Sequence, residues 1–322
     1  MSSSIDAFAA EPMHSGVDEV AGRGIQGRSP TRLAWERLRR DRMAVASGIV
    51  IVGLFLFAFV GAPIFEAVTG HDPTTAYRDT GLTADGLPVG PNSEFWFGTD
   101  QLGRDLLVRI AYGARTSLLI GVVVTLFALV IGTVIGMVAG YYRGKTDTVL
   151  SRIIDVMLGF PFLVSAIALV AVFQPSVWIT AVVILLFIWA PVARIVRGQV
   201  LSLREREFIE AGHSLGASDS RIMYVDVLPN LVGPVIVYGT LLIPQVIVLE
   251  STLSFLGLGV VPPAATLGQM LGDVQNQGLY EAAPWMLYFP MLVLLLTTLA
   301  FNLLGDGLRD AFDPGSERTM AK

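Results

Sequence analysis

Residues 194–230 read RIVRGQVLSLREREFIEAGHSLGASDSRIMYVDVLPN. Apolar sequence lies on both sides: no charged residue occurs from Val156 to Ala193, and none from Val227 to Leu249. A polar segment of this length between apolar runs is more often functional than a mere connection. Two short helical stretches are expected within it, about Ser202–Leu215 and Ser218–Val227. Gly216 separates them, because glycine takes the positive φ that closes a helix, and Ser218 or Asp219 can cap the second stretch. The expected result is a compact helix-turn-helix standing outside the apolar body. A solvated connector is the plainer alternative.

The apolar flanks set the fold. A helix that crosses a bilayer needs about 20 apolar residues, roughly 17 to 25. Met43–Phe65 and Thr116–Tyr142 are uncharged runs of that kind. Val156–Ala193 is too long for one crossing, and Gln174-Pro175-Ser176 in its middle is a natural hairpin turn, so two short crossings are expected there. Val227–Leu249 and Ala282–Gly305 complete the set. Ser251–Gly272 is also uncharged, but Pro262-Pro263 and its glycines make it a poor spanning helix. It is expected to be a loop, re-entrant if protein shields it from lipid. The fold class is therefore an all-α polytopic membrane protein with six transmembrane helices.

Composition supports this and narrows function. Of 322 residues 53% are hydrophobic and only 15% charged, against about 25% charged in a soluble domain. A net charge of -5 lacks the basic face that nucleic acid requires. With no cysteine, disulfides, thiolate metal sites and cysteine nucleophiles are excluded. His14, His71 and His213 are too far apart to form a ligand pair at helical spacing. No paired acids or nucleophile with a base stand within the spans, so no catalytic and no metal-binding residues are assigned. The first apolar block is too long and too far into the chain for a cleavable signal, and reads as an anchor that stays in place.

Lys and Arg set the orientation. With both termini inside, eighteen of these residues fall on the cytoplasmic side and four outside: Arg78, Arg104, Arg109 and Arg115. The expected organisation is then a disordered cytoplasmic N-terminus (1–29), a basic helix on the inner surface (30–42) and a first crossing (43–65). An extracytoplasmic segment (66–115), a five-helix core (116–305) with its cytoplasmic loop (194–230) and a cytoplasmic tail (306–322) follow. Residues 30–42 place Trp35 and Leu38 among five arginines, a pattern that suits an interfacial helix or a simple basic stop signal.

Several residues invite a functional reading. Gly140-Tyr-Tyr-Arg-Gly144-Lys145-Thr146 imitates a phosphate-binding loop. That loop needs four residues between its glycines and a strand before it; here there are three and a membrane helix, so the chain has no visible means of binding ATP itself. Gly132, Gly136 and Gly140 make a smooth groove on one helix face, for packing inside the chain or against another subunit. Glu250 is an acid at the end of an apolar run, a functional candidate by default or a structural hydrogen-bonding partner at the rim. Arg194 and Arg197 suit interfacial anchors better than gate residues.

Glu210-Ala211-Gly212, then Gly216, then Leu228-Pro229 resemble the "EAA" loop of bacterial ATP-binding-cassette (ABC) importer permeases in spacing. Gly212 stands where the pattern has a second Ala, and Asp226 where it has Ile. Phe97-Gly-Thr-Asp-Gln-Leu-Gly-Arg-Asp105 with Tyr112-Gly-Ala-Arg-Thr-Ser-Leu118, Leu253-Ser-Phe-Leu-Gly-Leu-Gly259 and Asn302-Leu-Leu-Gly-Asp-Gly-Leu-Arg-Asp310 look like segments of the C-type permeases of dipeptide and oligopeptide importers. The similarity runs from about residue 30 to 314.

The resemblance implies a type I ABC importer permease fold and a non-enzymatic subunit. It also implies a second, homologous B-type permease, two cytoplasmic ATPases that hold ATP and Mg2+, an extracytoplasmic substrate-binding protein, and a peptide substrate. This chain would bind no cofactor. Glu210–Asp219, with Glu210, Ala211, Gly212, Leu215, Gly216, Ala217, Ser218 and Asp219, would be the coupling helix that docks on an ATPase. A nickel or glutathione permease is a substrate variant of the same architecture. A stand-alone secondary transporter would show internal repeats and ionisable residues near the bilayer centre, and spans one to four and six, as drawn, carry no charge.

Overall fold

The computed structural model describes residues 30–312, so the expectations for 1–29 and for the end of the tail lie outside the described residues. Among the described residues the chain is a helical bundle without extended sheet. Helix α1 (Pro30–Leu38) is followed by α2 (Arg42–Thr69), whose N-terminus is capped by Asp41 accepting from the amides of Met43 (2.9 Å) and Ala44 (3.3 Å). A folded lobe, residues 70–105, leads to α3 (Leu106–Tyr142). Then come α4 (Gly144–Gly159), α5 (Phe162–Phe173), α6 (Val177–Arg204), α7 (Glu207–Ser214), α8 (Asp219–Phe255), α9 (Leu267–Gln277) and α10 (Trp285–Phe312).

Helices α2, α3, α6, α8 and α10 are each long and apolar enough to cross a membrane. The third crossing differs from the single helix expected. Pro161 lacks an amide hydrogen and forces the residue before it out of helical geometry. Phe160 is accordingly extended (ψ 129°), and α4 and α5 meet at 84°. The 12 residues of α5 rise only about 18 Å against a hydrocarbon core of about 30 Å, so a sixth crossing exists only as this broken pair. The hairpin at Gln174-Pro175-Ser176 is present: Gln174 has φ 63°, and the Ser176 hydroxyl accepts from the Ile179 amide (3.2 Å) to start α6.

Other boundaries shift for physical reasons. The segment between α2 and α3 ends at Asp105, not at residue 115, because Asp105 caps α3 through the Val108 amide (3.2 Å). Arg109 and Arg115 therefore sit on the helix. Residues 251–281 are not a plain loop: α8 runs on to Phe255, and α9 packs against α8, α10 and α3. Glycines make that fit: a Cβ on Gly268 would lie 2.4 Å from the Ser251 Cα, and one on Gly272 2.7 Å from the Phe255 carbonyl oxygen. Helix α10 likewise continues to Phe312, into the expected tail.

The most extensive helix contact joins α3 to α6. Gly132, Gly136 and Gly140 lie in it. Cβ atoms there would fall 2.5 Å from Val192 Cβ, 2.5 Å from the Ala193 oxygen and 2.8 Å from the Arg197 oxygen. Helix α1 reaches the far end of α10, where Arg37 Nη1 donates to the Ala311 oxygen (3.5 Å). Both described chain ends thus lie at the bundle end that carries α7, opposite the lobe.

Candidate functional site

Three polar constructions stand out from the apolar bundle: the turn after α6, the contact around Glu250, and the lobe.

At the turn, α6 stops at Arg204 and α7 starts at Glu207, so the expected helix over Ser202–Leu215 is broken at Glu205–Arg206. Gly216, at φ 79°, closes α7. The Gly216 amide donates to the His213 oxygen (2.9 Å) and the Ala217 amide to the Gly212 oxygen (3.1 Å), the paired bonds of a Schellman closure. Ser218 then caps α8, accepting from the Arg221 amide (3.4 Å). The expected second short helix is the first stretch of α8 itself, which continues without interruption for 37 residues and is π-helical over Ile222–Val227. Asp226 lies in that stretch, half-buried, and its carbonyl accepts from Asn230 Nδ2 (2.6 Å).

Buried Ile209 fixes α7 to the core with Ile222 and Met223. The rest of the turn is outward. Glu210, Ala211, Leu215, Gly216, Ser218 and Asp219 are exposed, Leu215 to 88%; Gly212 and Ala217 are half-buried. Among the described residues the Glu210 carboxylate makes no hydrogen bond or ion pair, so it does not anchor the loop to its own bundle. Phe208, Tyr224 and Val225 add exposed apolar area.

Tyr141, at the end of α3, is a residue that the sequence reading missed. Its hydroxyl donates to Asp219 (3.0 Å) and lies 3.4 Å from His213 Nε2, while the Arg204 guanidinium sits over its ring at 5.6 Å and donates to its carbonyl. One side chain thus joins α3, α6, α7 and α8. Its only sequence signal was its place in the false phosphate loop. That loop is in fact a chain reversal, with Arg143 (φ 52°) and Gly144 (φ 60°) both at positive φ. Arg194 and Arg197 pair with carboxylates of α4, Asp155 (2.5 Å) and Asp147 (2.5 Å), and hold the bent segment against α6.

Glu250 is wholly buried (0% exposed) between α8 and α3. Ser117 Oγ donates to its carboxyl at 2.9 Å, Ser254 at 2.7 Å and Ser251 at 3.5 Å. The Ser254 hydroxyl also accepts from the Val260 amide (3.2 Å). A buried carboxyl with three hydroxyl donors is a satisfied structural knot.

The lobe is organised by buried ions. Asp100 accepts from Arg104 Nε (2.6 Å) and faces Arg109 Nε (3.1 Å), and Arg109 Nη1 donates to the Pro73 oxygen (3.0 Å). His71 Nδ1 meets Asp105 at 2.8 Å, and Trp285 Nε1 ties α10 to the Thr99 oxygen (3.2 Å). Hydroxyl and amide donors from Thr74 and Thr75 hold the Asp72 carboxyl below the usual range, whereas burial pushes that of Asp273 on α9 up, against the pull of Gln101 and Arg109. Among the described residues no group of acids and histidines could hold a metal ion.

Comparison with known proteins adds three findings. Residues 132–318 match the family described as binding-protein-dependent transport system inner membrane component, and residues 29–83 match the N-terminal TM domain of oligopeptide transport permease C. The chain is 40% identical to the oligopeptide transport system permease protein OppC of Haemophilus influenzae, over 92% of this chain and 94% of that one. It is 41% identical to the dipeptide transport system permease protein DppC of Bacillus subtilis, over 90% and 87%. The fold is similar to a solved structure of the MetNI methionine ABC transporter in inward-facing conformations, with TM-score 0.51 and 19% identity, covering 63% of this chain and 96% of that one.

Proposed function

The chain belongs to the family of binding-protein-dependent transport system inner membrane components, and on that footing we propose that it is one half of a peptide-importing permease in the cytoplasmic membrane. It is a multi-pass permease subunit and not itself an enzyme. The other half is a homologous B-type permease. Two cytoplasmic ATPases that hold ATP and Mg2+ drive the cycle, an extracytoplasmic binding protein delivers di- or oligopeptides, and both termini are cytoplasmic. The Lys and Arg distribution supports that orientation, since the basic segments 30–42, 143–152 and 194–221 gather at the α7 end.

One observation carries the reading: the Glu210–Asp219 turn protrudes from an apolar bundle with Glu210 and Leu215 exposed and, among the described residues, the Glu210 carboxylate without a partner, yet opens directly into a membrane-crossing helix. An ATPase groove that takes Glu210, Leu215 and Phe208 grips a segment rigidly continuous with α8. Ile209 and Tyr141 keep that grip from being lost in local bending. Moving a two-state permease almost completely from one packing to the other takes about 5.5 kcal/mol of differential affinity, which ATP-driven closure of the ATPase pair supplies at the turns.

The test is Gly216→Arg in the tagged chain. Beyond the strain of a side chain at φ 79°, it puts a bulky cation on the docking face; no atom lies within 4 Å of a Cβ there, so the bundle itself is spared. The natural chain should co-purify with a second permease and ATPases whose hydrolysis rises with peptide-loaded binding protein. The variant should keep the permease and lose the ATPases. A natural chain that comes out alone, with no ATP hydrolysis, would refute the proposal.

A further inference from the structure

On the outside of the subunit, α8 and α10 enclose a groove of ≈ 370 Å³ lined by Pro244, Gln245, Val248, Leu249, Thr298 and Asn302, within the roughly 300–1,000 Å³ of small-ligand sites. Its position makes the polar residues costly. Gln245 lies four residues inside the end of the uncharged run Val227–Leu249, and Asn302 three inside the end of Ala282–Gly305, so each stands about 5 Å inside its span. Both are exposed, and Gln245 makes no hydrogen bond among the described residues. Asn302 Nδ2 donates to the Thr298 oxygen (2.9 Å), leaving its Oδ1 free, and the Thr298 hydroxyl bonds back to the Leu294 oxygen (3.0 Å). A free carboxamide at that depth is unfavourable against lipid, and such groups face a water-filled cavity or a partner.

The groove's chemistry selects its occupant. Gln245 offers donors on its Nε2 and an acceptor at its Oε1, and Asn302 a second acceptor, a set that can pair with both the N–H and the C=O of a peptide group. No charge lines the groove, so nothing in it reads an ionised side chain or traps one. Pro244, Val248 and Leu249 supply walls indifferent to side-chain identity. We propose that this groove is a station on the transport path where Gln245 and Asn302 bind the main chain of an extended peptide. The inference rests on the peptide reading above and adds to it where the substrate touches this subunit and by which atoms.

The chain has no cysteine, so a single introduced thiol is the only reactive one on it. Gln245→Cys and Asn302→Cys are placed separately in the full transporter in membrane vesicles, with Leu126→Cys, on the exposed apolar face of α3, as the lipid-side reference. The probe is a charged, membrane-impermeant thiosulfonate. Both groove thiols should react at least about tenfold faster than the reference, because the reagent does not partition into hydrocarbon, and a saturating tripeptide should slow them severalfold. Gln245→Leu should lower uptake about three- to tenfold for tripeptides of different side chains alike, the worth of one hydrogen bond. Reaction at the reference rate, or slow reaction that peptide does not change, overturns the assignment; the first puts the groove against lipid and the second against the other permease. Peptide uptake by the natural transporter is measured alongside. If it is present while the groove thiols behave like the reference, only this inference falls; if it is absent, the peptide reading falls first and takes the station with it.

Discussion

Replacing Gly136 with alanine adds one methyl group, and its cost can be worked from the α3–α6 contact. The new Cβ would stand 2.5 Å from the Ala193 oxygen, 2.9 Å from Val196 Cβ and 3.0 Å from the Arg197 amide nitrogen. Ordinary contact is about 3.5 to 4.0 Å, and two of these neighbours are backbone, so the helices must part by about 1 Å along their closest line. Overpacking of this kind costs about 1–3 kcal/mol. Alanine regains about 0.8–1.0 kcal/mol of helix propensity, which the right control cancels. Gly198→Ala, on α6 with nothing within 4 Å, receives the same propensity gain and no clash. The two variants should therefore differ by about 1–3 kcal/mol, or roughly 2–10 °C in the unfolding midpoint of the purified transporter in detergent. Gly239→Ala should fall between them, because its close neighbour, Leu129 Cδ1 at 2.5 Å, is the tip of a flexible side chain. Equal midpoints for Gly136→Ala and Gly198→Ala would refute the direct backbone approach of α3 and α6.

Glu250→Gln should keep the hydroxyl knot and cost under about 1 kcal/mol, whereas Glu250→Leu strands buried serine hydroxyls at about 1–3 kcal/mol each; comparable midpoints for the two would show that the carboxyl is not held by hydrogen bonds. Tyr141→Phe removes the hydroxyl that joins α3 to Asp219, worth about 0.5–1.5 kcal/mol. It should lower the ratio of peptide-stimulated to basal ATP hydrolysis while leaving assembly intact, and an unchanged ratio would mean that the turn is held without it. Burial raises the Asp273 carboxyl above its unfolded value, so its contribution to stability is present below the ordinary carboxylate range and is lost as pH rises through the raised value. The midpoint of the natural protein relative to Asp273→Asn should accordingly fall as pH rises above the ordinary carboxylate range; a rise would mean that Arg109 outweighs burial.

The crossings and the exposed turn were legible in the sequence because both depend largely on local composition: a helical run of about 20 residues without charge or breaker is long enough to span whatever it packs against, and Gly216 followed by Ser218 ends one helix and caps another. What the sequence hid was decided by contacts between distant residues. Met-Leu-Gly-Phe-Pro reads as a continuous apolar run until Pro161 turns it by 84°, and the carboxylates of α4 opposite Arg194 and Arg197, with buried Ile154, Ala166 and Val170, hold the bent segment in place. Helix α9 was obscured because Pro262-Pro263 dominates its neighbourhood, while the Gly268 and Gly272 approaches that seat it belong to tertiary structure. Tyr141 was invisible for the same reason, since three of its partners come from beyond residue 200.

Helix α8 is continuous from Asp219 to Phe255, so the exposed turn, the groove residue Gln245 and the caged Glu250 are carried on a single helix. From Asp219 to Gln245 is about 39 Å at 1.5 Å per residue, and a tilt of about 5° about one end displaces the other by about 3 Å. Linkage then makes the two ends mutually informative: if a partner seated on the turn weakens what the groove holds by some factor, an occupied groove weakens the partner's hold on the turn by the same factor. Isotherms measured at either end, with and without the other ligand, therefore give one coupling free energy for both.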